Sequence, residues 1–165
     1  MNLNKFFAEE LRQESPATRK MLERIPHDKL SWKPHEKSTP LGNLAGHIAQ
    51  LPNFLPMILN ENELNFDPKT FTPFVPQSIP ELLESFDQKV AAALDVLNTD
   101  SGEKLQDAWR LRSGDHIIFE MPRARVLRWT MSHIIHHRGQ LAVYLRLLDV
   151  PLPPIYGPTA DEQLS

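Results

Sequence analysis

Residues 126–148 place a core-compatible side chain every three or four positions, and that spacing admits one regular structure, an α-helix with one face against a core. What sets this stripe apart is its polar content. Val126, Trp129, Thr130, His133, His137, Gln140, Leu141, Tyr144 and Leu148 follow one another along a single face. His133 and His137 are therefore stacked one turn apart on the face read as buried. A second stripe, Leu41, Leu44, His47, Ile48, Leu51, Leu55 and Ile58, carries His47 in the matching position. Imidazoles set among Leu, Ile and Trp cost free energy unless each finds a partner.

Two further segments read as helices. The first spans residues 3–23, with Phe6, Phe7, Leu11, Met21 and Leu22 as its apolar positions and Pro16 as a kink or the start of a second piece. The other opens at Ser78-Ile79-Pro80-Glu81, with Ser78 as cap, and carries Leu82, Leu83, Phe86, Val90, Ala93, Leu94 and Leu97. Ser38-Thr39-Pro40 reads as the start of the His47 helix. Pro52 deprives the Ile48 carbonyl of its donor, so a kink is expected one turn beyond His47; the alternative is that the helix stops near Gln50. Residues 61–80, with Pro68, Pro73, Pro76 and Pro80, read as a long ordered connection. Residues 98–121 read as a short hairpin or an irregular cover around Ser113-Gly114-Asp115, and the proline-rich tail after Asp149 as a non-helical strap. The architecture this predicts is all-α: one four-helix-bundle domain over residues 1–165, with a long crossover and a possible hairpin before the last helix.

The histidines suggest a shared divalent ion. Spacing alone permits a His133/His136 pair as well as His133/His137; the apolar stripe favours His137, and His47 completes a set of three. Three neutral imidazoles suit Zn²⁺, Ni²⁺ or Fe²⁺ and leave a coordination position open, as in reactive sites rather than closed structural ones. The competing reading is of core histidines satisfied by hydrogen bonds. His27 and His35 sit among Pro, Lys and Glu and read as solvated, while His116 is a weak candidate for substrate contact. Gln140 either orients a bound molecule or bonds within the bundle, and Arg138 points off the stripe toward a structural ion pair or dimer contact. Asp115 and Glu120 are the nearest carboxylates that could act as acid or base.

Composition narrows the partners. A net charge of −3 without a basic run argues against nucleic acid, and the absence of cysteine removes thiolate nucleophiles and Cys-ligated zinc. The acidic residues near the start, and the lack of any long apolar run, predict a soluble cytoplasmic protein with no membrane span.

The combination of Leu41-Gly42-Asn43-Leu44-Ala45-Gly46-His47 with His133-Ile134-Ile135-His136-His137-Arg138-Gly139-Gln140 resembles the DinB-like superfamily of metal-dependent four-helix-bundle proteins. The likeness runs from Trp32 through the tail 150–158, and the His-Arg-Gly-Gln ending is its most specific part. The resemblance implies a crossover bundle paired as a homodimer, with a divalent metal on His47, His133 and His137. It also implies chemistry related to thiol-dependent S-transferases: a metal activating water or a low-molecular-weight thiol for a small-molecule substrate, in a transferase-like or hydrolase-like reaction. The alternatives are a non-catalytic, metal-stabilised stress or interaction protein and a plain helical interaction module.

Overall fold

The computed structural model describes residues 3–163. Four helical rods make the bundle. They are α1 (Leu3–Glu23); a second rod built from α2 (Leu41–Gln50), a 3-10 turn (Leu51–Asn53) and α3 (Phe54–Asn60); α4 (Ile79–Thr99); and α5 (Arg123–Leu147). The core lies between their inner faces, with Leu11, Met21, Leu44, Ile48, Phe86, Leu97, Met131 and Leu141 among its buried side chains.

The chain is not all-α, and the expectation of that class is corrected here. Strands β1 (Glu63–Asn65), β2 (Ala108–Ser113) and β3 (His116–Pro122) form a mixed three-stranded sheet with β2 in the middle. β2 and β3 are an antiparallel hairpin whose tight turn places Gly114 at φ +58, the conformation that type II′ turns ask of their first central residue. β1 comes from the 61–80 connection and pairs parallel with β2. Only three residues long, it carries no readable period. It forms because distant groups complete it: the Phe66 N–H donates to the Arg112 carbonyl at 2.7 Å, and Asn65 Oδ1 accepts from the Gly114 N–H at 3.0 Å.

Each helix end has a physical cause. Leu51 N–H reaches back to the carbonyls of both His47 and Ile48, so the carbonyl that Pro52 cannot serve is taken up by a tighter 3-10 bond. The α-helical ladder thus stops at Gln50, while the rod continues through the turn into α3. The Ser38-Thr39-Pro40 start supplies no side-chain cap. Instead the Leu41 and Gly42 N–H groups donate to the Trp32 and Leu30 carbonyls, both at 2.8 Å. Ser78 does cap α4, accepting from the Glu81 N–H at 3.2 Å. Pro16 leaves α1 unbroken because it lies on the exposed face, where the unpaired Arg12 carbonyl can be hydrated. Phe6 turns outward, and Phe7, Ala8 and Leu11 fill the core in its place.

Two buried arginines lock the rods together. Arg123, the first residue of α5, donates from Nη1 to the carbonyls of Ile58 and Glu61 and from Nη2 to Asn62 Oδ1 at 2.7 Å. It is a cation at the C-terminus of α3, where the unpaired carbonyls and the helix dipole both favour positive charge. Arg138, 2% exposed, pairs with Glu14 of α1 at 2.6 Å and donates to Thr18 Oγ1 at 3.2 Å and Tyr156 Oη at 2.8 Å. That network joins α1, α5 and the tail. α5 itself ends in a Schellman turn, Val150 N–H to Leu145 O and Asp149 N–H to Arg146 O, with Asp149 at φ +57.

The α2 rod is also held from outside. A Cβ on Gly46 would stand 1.9 Å from the Phe74 carbonyl oxygen, so the 61–80 connection lies directly on the helix beside His47. Gly46→Ala should therefore cost about 2–3 kcal/mol in chemical denaturation, the upper range for overpacking against backbone. An unchanged unfolding midpoint would show that the connection does not rest on α2 in this way.

Candidate metal centre

α2 and α5 bring their histidines to one point. The ring centroids of His47 lie 5.1 Å from His133 and 4.6 Å from His137, and those of His133 and His137 are 4.6 Å apart. His47 Nε2 and His133 Nε2 face each other at 3.4 Å. One nitrogen from each of the three rings lies within 4.8 Å of the others. Nitrogens bound to a common tetrahedral ion at about 2.0–2.1 Å sit about 3.3–3.4 Å apart, so the His47/His133 pair already has that spacing. The trio could hold a metal ion.

The lone pairs are directed appropriately. His137 Nδ1 lies 2.7 Å from Gln140 Oε1, an oxygen that can only accept. Nδ1 therefore carries the proton, and Nε2 is left as the free donor atom. An outer hydrogen bond of this kind fixes tautomer and ring orientation in metal-bound histidines. Protonation is disfavoured as well. Burial, and then the neighbouring His137, bring His47 and His133 down to about 4. Burial also lowers His137, against the Gln140 hydrogen bond that raises it. At neutral pH the site is three neutral imidazoles, the form in which histidine binds metal.

The histidines stand at the edge of the core rather than in it. The fully buried stripe of α5 is Val126, Leu127, Thr130, Met131, Ile134, Arg138, Leu141 and Leu145, about one residue round from the expected one. His133 and His137 are half-buried, Trp129 is 47% exposed, and Gln140 is exposed. This offset gives the trio access to solvent and puts Arg138 inside, where its ion pair with Glu14 is structural.

The other candidates stay apart. His136 is exposed and only borders His137, with ring centroids 5.0 Å apart. His27 bonds the Gln77 carbonyl at 3.0 Å, and His35 Nδ1 accepts from the Lys37 N–H at 3.1 Å; both are exposed. His116 and Asp115 are exposed at the hairpin turn, and Glu120 is engaged with Arg110. Among the described residues no carboxylate joins the trio.

A solvent-open cavity of about 460 Å³ lies against His47 and His137, with Lys37, Ser38, Gln140 and Tyr144 on its wall. Tyr144 Oη donates to the Thr39 carbonyl at 3.1 Å, tying the 24–40 connection to α5. Lys37 and Ser38 had no signal in the sequence as site residues. They reach the cavity because backbone hydrogen bonds from Leu41 and Gly42 fold that connection over the start of α2.

The comparisons with known proteins agree with this architecture. The Bacillus subtilis (strain 168) protein YrdA, itself uncharacterized, is 27% identical over 150 residues, covering 90% of this chain and 85% of its own. A DinB-like protein from Bacillus cereus superposes with a TM-score of 0.67 at 21% identity, over 91% of this chain and 95% of that one. A Bacillus subtilis DinB-like protein, YjoA, gives 0.69 at 21% identity over 96% and 99%. An Exiguobacterium sibiricum structure assigned to the DinB family gives 0.68 at 18% identity over 93% and 97%. The DinB family model itself matches residues 1–163, and the chain belongs to that family.

Proposed function

We propose that the protein is a metalloenzyme in which His47, His133 and His137 hold one Zn²⁺, Ni²⁺ or Fe²⁺ ion and which transfers the sulfur of a low-molecular-weight thiol to a small acceptor. The observation that carries the proposal is the convergence of three neutral imidazoles, one oriented by Gln140, at a point open to solvent. A divalent ion there supplies Lewis acidity, lowering the pKa of a thiol or water that reaches it.

The chain's own groups define the rest. The solvent-open cavity carries one cation, Lys37, together with the polar groups of Ser38, Gln140 and Tyr144, and no acid on its wall. That complements a polar, anionic cosubstrate such as a carboxylate-bearing thiol. In the transfer the S–H proton leaves to solvent, a carbon–sulfur bond forms, and the acceptor's leaving group departs with its electron pair. A cysteine-free chain needs the sulfur from outside, and this arrangement admits it. The same centre could instead activate water for hydrolysis; the polar, cation-bearing cavity favours the thiol.

Elemental analysis of tag-free protein should find about one first-row metal per chain. His47→Ala and His137→Ala should each lower the content at least tenfold while the fold is kept, and thiol transfer should disappear with the metal. Full metal retention in either variant would remove that histidine from the ligand set.

The pH dependence of the metal-free protein is an independent check. His47 and His133 take up protons near pH 6.5 when unfolded but only near about 4 when folded. Over that window the unfolded state binds more protons, so stability is full above pH 6.5 and is lost as pH falls toward 4. Melting temperatures of chelator-treated protein should drop steadily across this range, and His47→Gln should flatten part of the drop. A constant Tm would mean that the imidazoles are not desolvated.

A further inference from the structure

On the other side of His133 lies a second cavity that the proposed thiol site does not use. It holds about 210 Å³ beneath the sheet, between the α2–α3 rod and α5; it is about as open to solvent as the polar cavity, but only apolar atoms of its wall are exposed. Thr130 is on that wall, but its hydroxyl is engaged with the Val126 carbonyl at 3.0 Å and offers no free donor. Aromatic rings dominate the rest. Trp109, Phe119 and Trp129 follow in sequence, with centroids 6.2 and 5.9 Å apart, and Trp129 meets the His133 ring at 4.9 Å. Phe54 and Phe66 also line the space.

We infer that this cavity is the acceptor site, and that it takes an uncharged, single-ring aromatic compound. The inference rests on the metal-centre reading above for its location and goes beyond it in naming the acceptor. Size and polarity both point to this class. An apolar protein cavity of about 150 Å³ stays dry and binds benzene, so one of 210 Å³ accommodates a ring with one or two small substituents. A charged group there would give up hydration against an apolar wall, with at most the Trp109 Nε1–H, a buried donor without a partner, to offset it. Edge-to-face and tilted rings around the space favour a flat π-system over a saturated chain of equal volume. His133 borders the cavity and His47 and His137 border the polar one, so the two compartments meet at the histidines. An apolar acceptor and a polar thiol would approach from opposite sides.

The test is methyl-resolved NMR of the full chain titrated with toluene, with benzoate as the charged control. Toluene should saturably shift the methyl groups of Leu64, Leu111 and Val126 with a Kd on the order of 1 mM or tighter, and benzoate should bind at least tenfold more weakly. Leu64→Phe, which fills the space from β1, should weaken toluene binding at least fivefold; Leu111→Phe serves the same purpose if that variant does not fold. In Co²⁺-loaded protein the protons of bound toluene should relax faster than in Zn²⁺-loaded protein. Absence of the methyl shifts, or benzoate binding as well as toluene, would overturn the inference. Shifts without Co²⁺-enhanced relaxation would show a cavity remote from the centre and overturn its acceptor role. Failure to take up Co²⁺ would count against the metal centre itself, and the methyl shifts would still decide whether the cavity holds an arene.

Discussion

The meeting of three half-buried imidazoles is the constraint to which the surrounding structure answers. Each ring loses hydration, and burial, with the neighbouring histidines adding to it, brings His47 and His133 to about 4. Such an arrangement persists only if the two helices are held from elsewhere. Arg138 ties α5 to α1 and the tail, Arg123 ties its start to the end of α3, and Gly46 lets the 61–80 connection lie directly on α2. None of the three touches the centre through its chemistry, and each fixes an element that carries or neighbours a histidine.

Much of this was legible in the amino-acid order because helices convert spacing into faces. The four rods follow from the 3.6-residue period, the Ser78 cap from a serine three residues before Glu81, and the preference for His137 over His136 from the apolar stripe rather than from spacing. The β2–β3 hairpin was also legible, and β1 is where local reading failed. A three-residue strand has no period, and β1 exists only through partners in β2 and the hairpin turn, distant in the chain. The same limit explains the one-residue offset of the α5 stripe. Arg138 looks like a surface residue until Glu14, Thr18 and Tyr156 surround it, and their approach is a tertiary fact. The start of α2 is a similar case, since the carbonyls of Leu30 and Trp32 do the work expected of a side chain.

The sheet also matters for function. β2 and the 61–80 connection roof an apolar space beside His133, whereas the connection before α2 builds a polar one beside His47 and His137. A bare bundle would offer only the metal. The two irregular connections supply surfaces of opposite character on either side of it, and in a DinB family protein those surfaces, more than the ligands, are where substrate choice can reside.

The proposed chemistry depends on three histidines and no carboxylate binding one ion. X-ray absorption spectroscopy of the zinc-loaded protein tests it most directly. Three imidazole nitrogens at about 2.0–2.1 Å are expected, with multiple-scattering features of the rings and one further light-atom position exchangeable with added thiol. A shell containing one imidazole or none, or one dominated by carboxylate oxygen, would contradict it.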